Sequence, residues 1–339
     1  MENIDGIMEN EEEPILSRNL EFWMSQLPAT LKSLPIIHLA IPGSHDTMTY
    51  TIEKHDDVGP DVPVFVRFLG RYFSCISKRI IFNWSVTQYE NVTQQLNGGI
   101  RYLDLRVAWK FNNNIHFLHG LYGAEITKPL EEVAYWLTAH PGEIVILDFQ
   151  HFYKFQHDHH EILIDKIHSI FKGKICPVFA NFNHISLQWL FLEKYQVFVI
   201  YRSPIAKNYT NMWSSGMWPN PWPNTFHPDC LINFLNDKLH TKSSDVAFIF
   251  QCLLTPDTAY VIKHFWGSLQ TDLAAECRNT ILPWINQQIP GSGGLNIVIT
   301  DYVSHNNFQF TKTVIQRNAK FLRRKTENSS TKYIEVKPK

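Results

Sequence analysis

Ile41-Pro42-Gly43-Ser44-His45-Asp46 is the stretch on which the reading of this chain turns. The apolar run before it, Ile36-Ile37-His38-Leu39-Ala40-Ile41, has the bulk of a buried strand. Pro42-Gly43 is expected to stop that strand, since proline lacks the donor a central ladder needs. A hydroxyl, an imidazole and a carboxylate follow at once. This is the pattern of a strand delivering polar groups to its own C-terminal end, where α/β folds keep their active sites.

Two later segments extend the pattern. Ile100-Arg101-Tyr102-Leu103-Asp104-Leu105-Arg106-Val107 alternates charge with bulk, and Ile115-His116-Phe117-Leu118-His119-Gly120 ends in a histidine. On three neighbouring strands they gather two histidines, two carboxylates and two arginines. Phosphodiester cleavage needs such a set: a base, an acid for the leaving alkoxide, and a cation on the phosphoryl oxygens.

Composition bounds the rest. The 339 residues suffice for one large barrel-type domain, and 44% hydrophobic with 19% charged residues is a globular balance. A formal net charge of −1 argues against a nucleic-acid binder. Cys75, Cys176, Cys230, Cys252 and Cys277 are odd in number with no CxxC pair, which reads as reduced thiols of a cytoplasmic protein. Residues 1–15 read as a disordered acidic lead without signal-peptide character, and the Asn-X-Ser/Thr sequons are read as idle. The apolar window 62–81 carries Arg67, Arg71, Lys78 and Arg79, so no transmembrane segment is expected.

Helical spacing is expected over 16–27, 62–82, 87–97, 127–140, 158–172, 186–194, 228–239, 272–288 and 307–324, with Thr127 as a cap. Strands are expected at 36–41, 100–107, 115–119, 143–150, 196–202, 246–252 and 295–302. Seven strands alternating with helices point to a parallel sheet, and the length favours a (β/α)8 TIM-barrel-like domain, distorted or closed. One domain over 16–325 and a disordered tail at 326–339 complete the organisation.

The ordered combination of these three stretches with Ile144-Val145-Ile146-Leu147-Asp148-Phe149 and Asn296-Ile297-Val298-Ile299-Thr300-Asp301-Tyr302 resembles the X domain of phosphatidylinositol-specific phospholipase C. The likeness covers about residues 20–325, and overall the chain looks like the small eukaryotic proteins having that domain alone. It implies a phosphatidylinositol-type lipid at a membrane surface as substrate, with His45 as base on the inositol 2-hydroxyl and His119 as acid toward diacylglycerol. Asp301 would orient His45 and Asp46 would hydrogen-bond His119. Calcium-dependent relatives hold their ion where this chain has Asp46, Asp104, Arg106 and Gln150. A guanidinium at Arg106 resembles the metal-independent bacterial pattern, so calcium is not expected. Asp104, Gln150 and Arg202 are implied as substrate contacts, with Gln150 standing where bacterial enzymes have lysine.

Other readings stay open. A metal-dependent phosphodiesterase on the same barrel would use Asp46, Asp104 and Asp148. A phosphoinositide-binding or scaffold protein would keep the pocket without the chemistry. His157-Asp158-His159-His160 reads as a solvated helix start, and the loop of Trp213, Trp218 and Trp222 either touches lipid or packs across the barrel rim.

Overall fold

The computed structural model describes residues 15–62, 74–111 and 114–332, with only the backbone path for 74–75 and 323–332. The acidic lead up to residue 14, the first part of the expected 62–82 helix and the last seven residues lie outside the described residues.

Eight strands form one mixed sheet: β1 (Ile41–Ser44), β2 (Tyr102–Lys110), β3 (Asn114–His119), β4 (Leu121–Glu125), β5 (Val145–Tyr153), β6 (Val197–Tyr201), β7 (Ile249–Gln251) and β8 (Ile297–Thr300). Six run parallel in the order β7-β8-β1-β2-β5-β6. Helices Thr127–Ala139, His157–Ile170, Pro228–Thr241 and Ala275–Gln287 lie between them, close to their expected spans. The architecture is the expected (β/α)8 TIM-barrel-like fold in distorted form.

The distortion has two sources. β3 and β4 are antiparallel and hang as a hairpin on the upper half of β2, with Val107 opposite Phe117 and Lys110 opposite Asn114. β2 ends at Lys110 and β3 begins at Asn114, and strands so close in sequence can pair only antiparallel, because a parallel return needs a crossover. The second source is the gap between β6 and β7, which segment 213–219 spans. Trp213 N donates to Val199 O at 2.8 Å and Trp213 O accepts from Tyr201 N at 2.9 Å, while Ile249 N donates to Pro219 O at 3.0 Å. Trp213 and Trp218 are buried edge to face, 5.9 Å apart. For these two indoles packing across the rim is the outcome, whereas Trp222 is exposed.

Two local expectations fail for physical reasons. The 36–41 run is a short 3-10 turn, Ile36–His38, and the strand begins only at Ile41, so Pro42 and Gly43 lie inside β1. Pro42 costs little there: its carbonyl accepts from Arg101 N at 2.9 Å, and its donorless nitrogen lies before β2 starts at Tyr102. Segment 16–27 is a chain of turns in place of a helix. Its backbone is drawn off by a buried ion pair. Arg101 donates to Glu21 O at 2.7 Å, and Glu143 accepts from Met24 N at 3.2 Å and Ser25 N at 2.8 Å.

Smaller shifts follow the same logic. The helix expected from 87 starts at Val92, behind an Asn91–Gln94 capping box. Thr127 is the first residue of the next helix and not its cap; Ile126 holds the cap position, and Glu125 accepts from Thr127 N at 2.9 Å. The last helix, His305–Lys332, continues past residue 325 into the stretch read as a tail. Among the described residues no helix is long and apolar enough to cross a membrane.

Candidate active site

β1 ends where the chemistry begins. Gly43 is squeezed between β2 and β8: a Cβ there would lie 2.8 Å from the Tyr102 side chain and 2.9 Å from Ile299. Directly beyond, Asp46 takes a left-handed conformation with φ 42°, a strained setting that aspartate tolerates better than bulkier residues. Thr87 and Gln88 hold this turn. Thr87 Oγ1 donates to His45 O at 2.9 Å, and Gln88 Nε2 bridges His45 O at 3.0 Å and Thr300 O at 3.1 Å. Sequence reading missed both residues, since they act on backbone carbonyls 42 and 43 positions away.

The side chains converge at the C-terminal end of the barrel. His45 Nδ1 donates to Asp301 Oδ1 at 2.7 Å. Its Nε2 lies 3.2 Å from Asp46 Oδ2 and 3.0 Å from Arg106 Nη2. His119 Nδ1 donates to Ser85 O at 2.6 Å, and its Nε2 lies 3.3 Å from the same Asp46 oxygen. The two rings are 6.3 Å apart, nearly perpendicular. Arg106 Nε contacts Asp46 Oδ1 at 2.5 Å. Gly120 lets the Ser74–Ser85 helix end approach His119, because a Cβ there would collide with Ser85 Oγ.

Electrostatics divide the carboxylates. Burial pushes the Asp46 carboxyl up, but the Arg106 guanidinium and both histidines overcome it and hold it below its ordinary value. Burial and the neighbouring Asp46 charge raise Asp104 to about 7 against the pull of Arg106. Neither Asp104 oxygen receives a hydrogen bond, and its nearest cations, His45 Nε2 and Arg106 Nη2, are both 3.8 Å away. It is therefore no tight structural ion pair. For His45, burial would lower the pKa, but Asp46 and Asp301 reverse this and raise it to about 9.

His45, Asp46 and Asp104 bring one ligand atom each within 4.8 Å of one another, a spacing that could hold a metal ion. Arg106 already contacts two of the three, placing a fixed positive charge where the ion would sit. This donor set does not suit calcium, which takes six to eight oxygens. Asp148, the third carboxylate of the metal-dependent alternative, is held elsewhere. It accepts from Arg202 Nε at 2.8 Å, from Arg202 Nη2 at 2.7 Å and from Tyr102 Oη at 2.5 Å.

Of the residues singled out in the sequence, His45, His119, Asp46, Asp104, Arg106 and Asp301 meet in one place. Gln150 and Arg202 line a cavity of about 610 Å³ together with His45, Arg106, His119 and Asp301, while Asp46 and Asp104 are buried and do not line it. Gln150 is the extra residue where the β2–β5 register shifts, Leu105 pairing with Phe149 and Arg106 with His151. Arg101 does not join them; it lies at the opposite end of the barrel with Glu143. In the 157–160 run His157 and Asp158 are exposed, as expected of a solvated helix start, whereas His159 stacks on Trp109 at 3.7 Å and His160 bonds Tyr201 Oη at 2.7 Å. Asn220 and Gln251, bonded to each other at 2.8 Å, add carboxamides that no motif or spacing singles out.

Comparison with known proteins places the family and the fold. Residues 73–164 match the PI-PLC X 1 family. The chain is 38% identical over 304 residues to the human PI-PLC X domain-containing protein 3, covering 88% of this chain and 94% of that protein. It is 32% identical over 309 residues to the human PI-PLC X domain-containing protein 1, covering 89% and 93%. Among solved structures, the phosphatidylinositol-specific phospholipase C of Listeria monocytogenes superposes with a TM-score of 0.62 at 18% identity, over 88% of this chain and 99% of that one. A phosphatidylinositol-specific phospholipase C of Staphylococcus aureus gives 0.63 at 17% identity, over 90% and 99%. At such identities these two speak for the fold, while the more similar relatives speak for kinship: the chain belongs to the PI-PLC X domain-containing protein family.

Proposed function

We propose that this protein is a phosphoric diester hydrolase of the phosphatidylinositol-specific phospholipase C type. It cleaves phosphatidylinositol or a related phosphoinositide to diacylglycerol and inositol phosphate, with no metal requirement. The observation that supports this reading is the setting of His45 Nε2, between a donor (Arg106 Nη2, 3.0 Å) and an acceptor (Asp46 Oδ2, 3.2 Å). A lone pair on that nitrogen finds the guanidinium and a proton on it finds the carboxylate, so the ring can change protonation state without moving.

His45 Nε2 takes the proton of the inositol 2-hydroxyl as its oxygen attacks phosphorus. The bond from phosphorus to the diacylglycerol oxygen breaks, and that oxygen takes a proton from His119 Nε2. His119 Nδ1 is fixed on Ser85 O, which turns Nε2 toward Asp46 and the reaction centre, the orientation from which a general acid delivers its proton. Arg106 lies where it can neutralise charge gathering on the equatorial phosphoryl oxygens. The cyclic phosphate so formed is opened by water with the two roles reversed. Asp104, Gln150 and Arg202 contact the inositol ring. Buried unpaired thiols at Cys176, Cys252 and Cys277 support a cytoplasmic protein that meets membranes peripherally.

The test is release of water-soluble inositol phosphates from phosphatidylinositol vesicles in EDTA, with His119→Leu run beside the unaltered protein. Release by the latter alone is the expected result. Activity that appears only when calcium is added would overturn the role given to Arg106. The raised pKa of His45 favours a second reading, a phosphoinositide-binding protein of little activity, because a ring protonated at neutral pH is a poor base. Vesicle binding without release under every condition would select it.

A further inference from the structure

The cavity has two unlike halves. The half described above is polar; the other is walled by Trp84, Leu253, Leu254, Pro256, Val261 and Leu269. An inositol ring, a polyol, gains nothing from an apolar wall, and leaving such a wall wet is unfavourable. The wall also has a side. Trp84 directly precedes Ser85, whose carbonyl holds His119, so it stands beside the group that protonates the leaving alcohol. Trp84 meets Tyr260 edge to face at 5.9 Å, and Asn83 Nδ2 reaches Gly267 O at 3.3 Å, which joins the helix end to segment 258–267. Beyond Val261 that segment turns outward through Ile262, Phe265 and Trp266, which are 62%, 40% and 75% exposed.

One polar atom interrupts the apolar surface. Trp84 is only 8% exposed, and its indole Nε1 is buried with no hydrogen-bond partner among the described residues. A buried donor left open beside a cavity calls for an acceptor on the ligand. An apolar surface with a single donor matches a fatty-acyl ester: one carbonyl oxygen followed by methylenes.

We propose that this wall is a seat for the acyl esters of the lipid, resting on the phosphodiesterase reading for its orientation. Trp84 Nε1–H donates to an ester carbonyl of the diacylglycerol moiety. The first methylenes lie along Leu253, Leu254, Val261 and Leu269, and the chains leave past Ile262, Phe265 and Trp266. The protein therefore grips part of the lipid tail as well as the headgroup.

The experiment compares two water-soluble substrates: dihexanoyl-phosphatidylinositol below its micelle concentration, and glycerophosphoinositol, which has no acyl chains. Each methylene buried strengthens binding roughly fourfold, so kcat/KM is expected to favour the acylated substrate by about a hundredfold or more. Trp84→Phe keeps a ring and loses the donor; it lowers that preference about fivefold. Val261→Asp, on a partly exposed helix face, lowers it about tenfold or more through KM. Equal rates on the two substrates, or a preference indifferent to both variants, would overturn the proposal. If neither substrate is cleaved, calorimetric binding of the dihexanoyl lipid still decides. Binding that Val261→Asp weakens sustains the acyl seat while the phosphodiesterase reading alone falls, and no binding overturns the seat.

Discussion

Arg101 and Arg106 face opposite ends of the barrel, and both are paired with buried carboxylates, yet the two surroundings differ in kind. At the lower end Arg101 donates to Glu143 twice, at 3.0 and 2.8 Å, and to the carbonyls of Leu96, Ile100 and Glu21. Glu143 in turn accepts two backbone amides, and both side chains are fully buried. At the upper end Arg106 shares Asp46 with two histidines, and Asp104 beside it receives no hydrogen bond. The first pair is saturated and ties the N-terminal segment to the barrel floor. The second is left short of partners, the condition in which a site can still take up a ligand.

The sharpest way to break this comparison is to remove each arginine's pairing and see which property fails. Arg106→Met is expected to cut inositol phosphate release by about a thousandfold, the usual scale for losing a preorganised charge-stabilising donor. Its unfolding midpoint in urea should fall by less than that of the variant at the lower end, because His45 and His119 still face the Asp46 carboxylate. Glu143→Ala leaves the Arg101 guanidinium buried without its counter-ion and should cost about 3–5 kcal/mol of stability, while the molecules that remain folded keep their activity. Equal destabilisation by the two variants would mean the upper cluster is as structural as the lower one.

The same contrast explains what is legible in the sequence. The upper site can be read because its chemistry is carried by residue types in fixed order. Asp104 with Arg106, His119 and Asp301 each follow or sit within a strand whose apolar run is visible, and His45-Asp46 follow β1, which starts only where the apolar run 36–41 ends. The lower end misleads because tertiary bonds override local pattern there: 16–27 has helical spacing, yet Arg101 and Glu143 occupy its backbone groups. Pro42 misleads for a related reason, since whether a missing donor matters depends on what the neighbouring strand offers at that height. Thr87 and Gln88, which fix the His45-Asp46 turn, leave no trace in periodicity at all. The strand ending at His119 is expected and found, but β4 (Leu121–Glu125) and its antiparallel pairing with β3 are not expected from the sequence, because Leu-Tyr-Gly-Ala-Glu has no apolar run to mark it.

A smaller effect refines the comparison from inside the upper cluster. His45 acts as base only when unprotonated. Burial lowers its pKa, while Asp46 and then Asp301 raise it, for a net value of about 9. Below that pH kcat/KM should therefore climb about tenfold per unit and level off above it. Arg106 opposes the shift, and Asp104, raised to about 7, adds negative charge near the ring as the pH passes that point. Asp301→Asn removes one of the two carboxylates that raise the ring and should move the acid limb to lower pH by about one unit or more. Its plateau should fall as well, because the amide no longer fixes the Nδ1–H tautomer as firmly. The same raised pKa has a stability consequence with a defined sign. Protonated His45 favours the folded state, and that contribution is complete below about 6.5, the ordinary value, and is lost as the pH rises toward 9. Asp301→Asn should flatten this decline. A limb that stays in place while the plateau drops would make Asp301 a purely geometric support, and the charge set on His45 would then have to come from Asp46 alone.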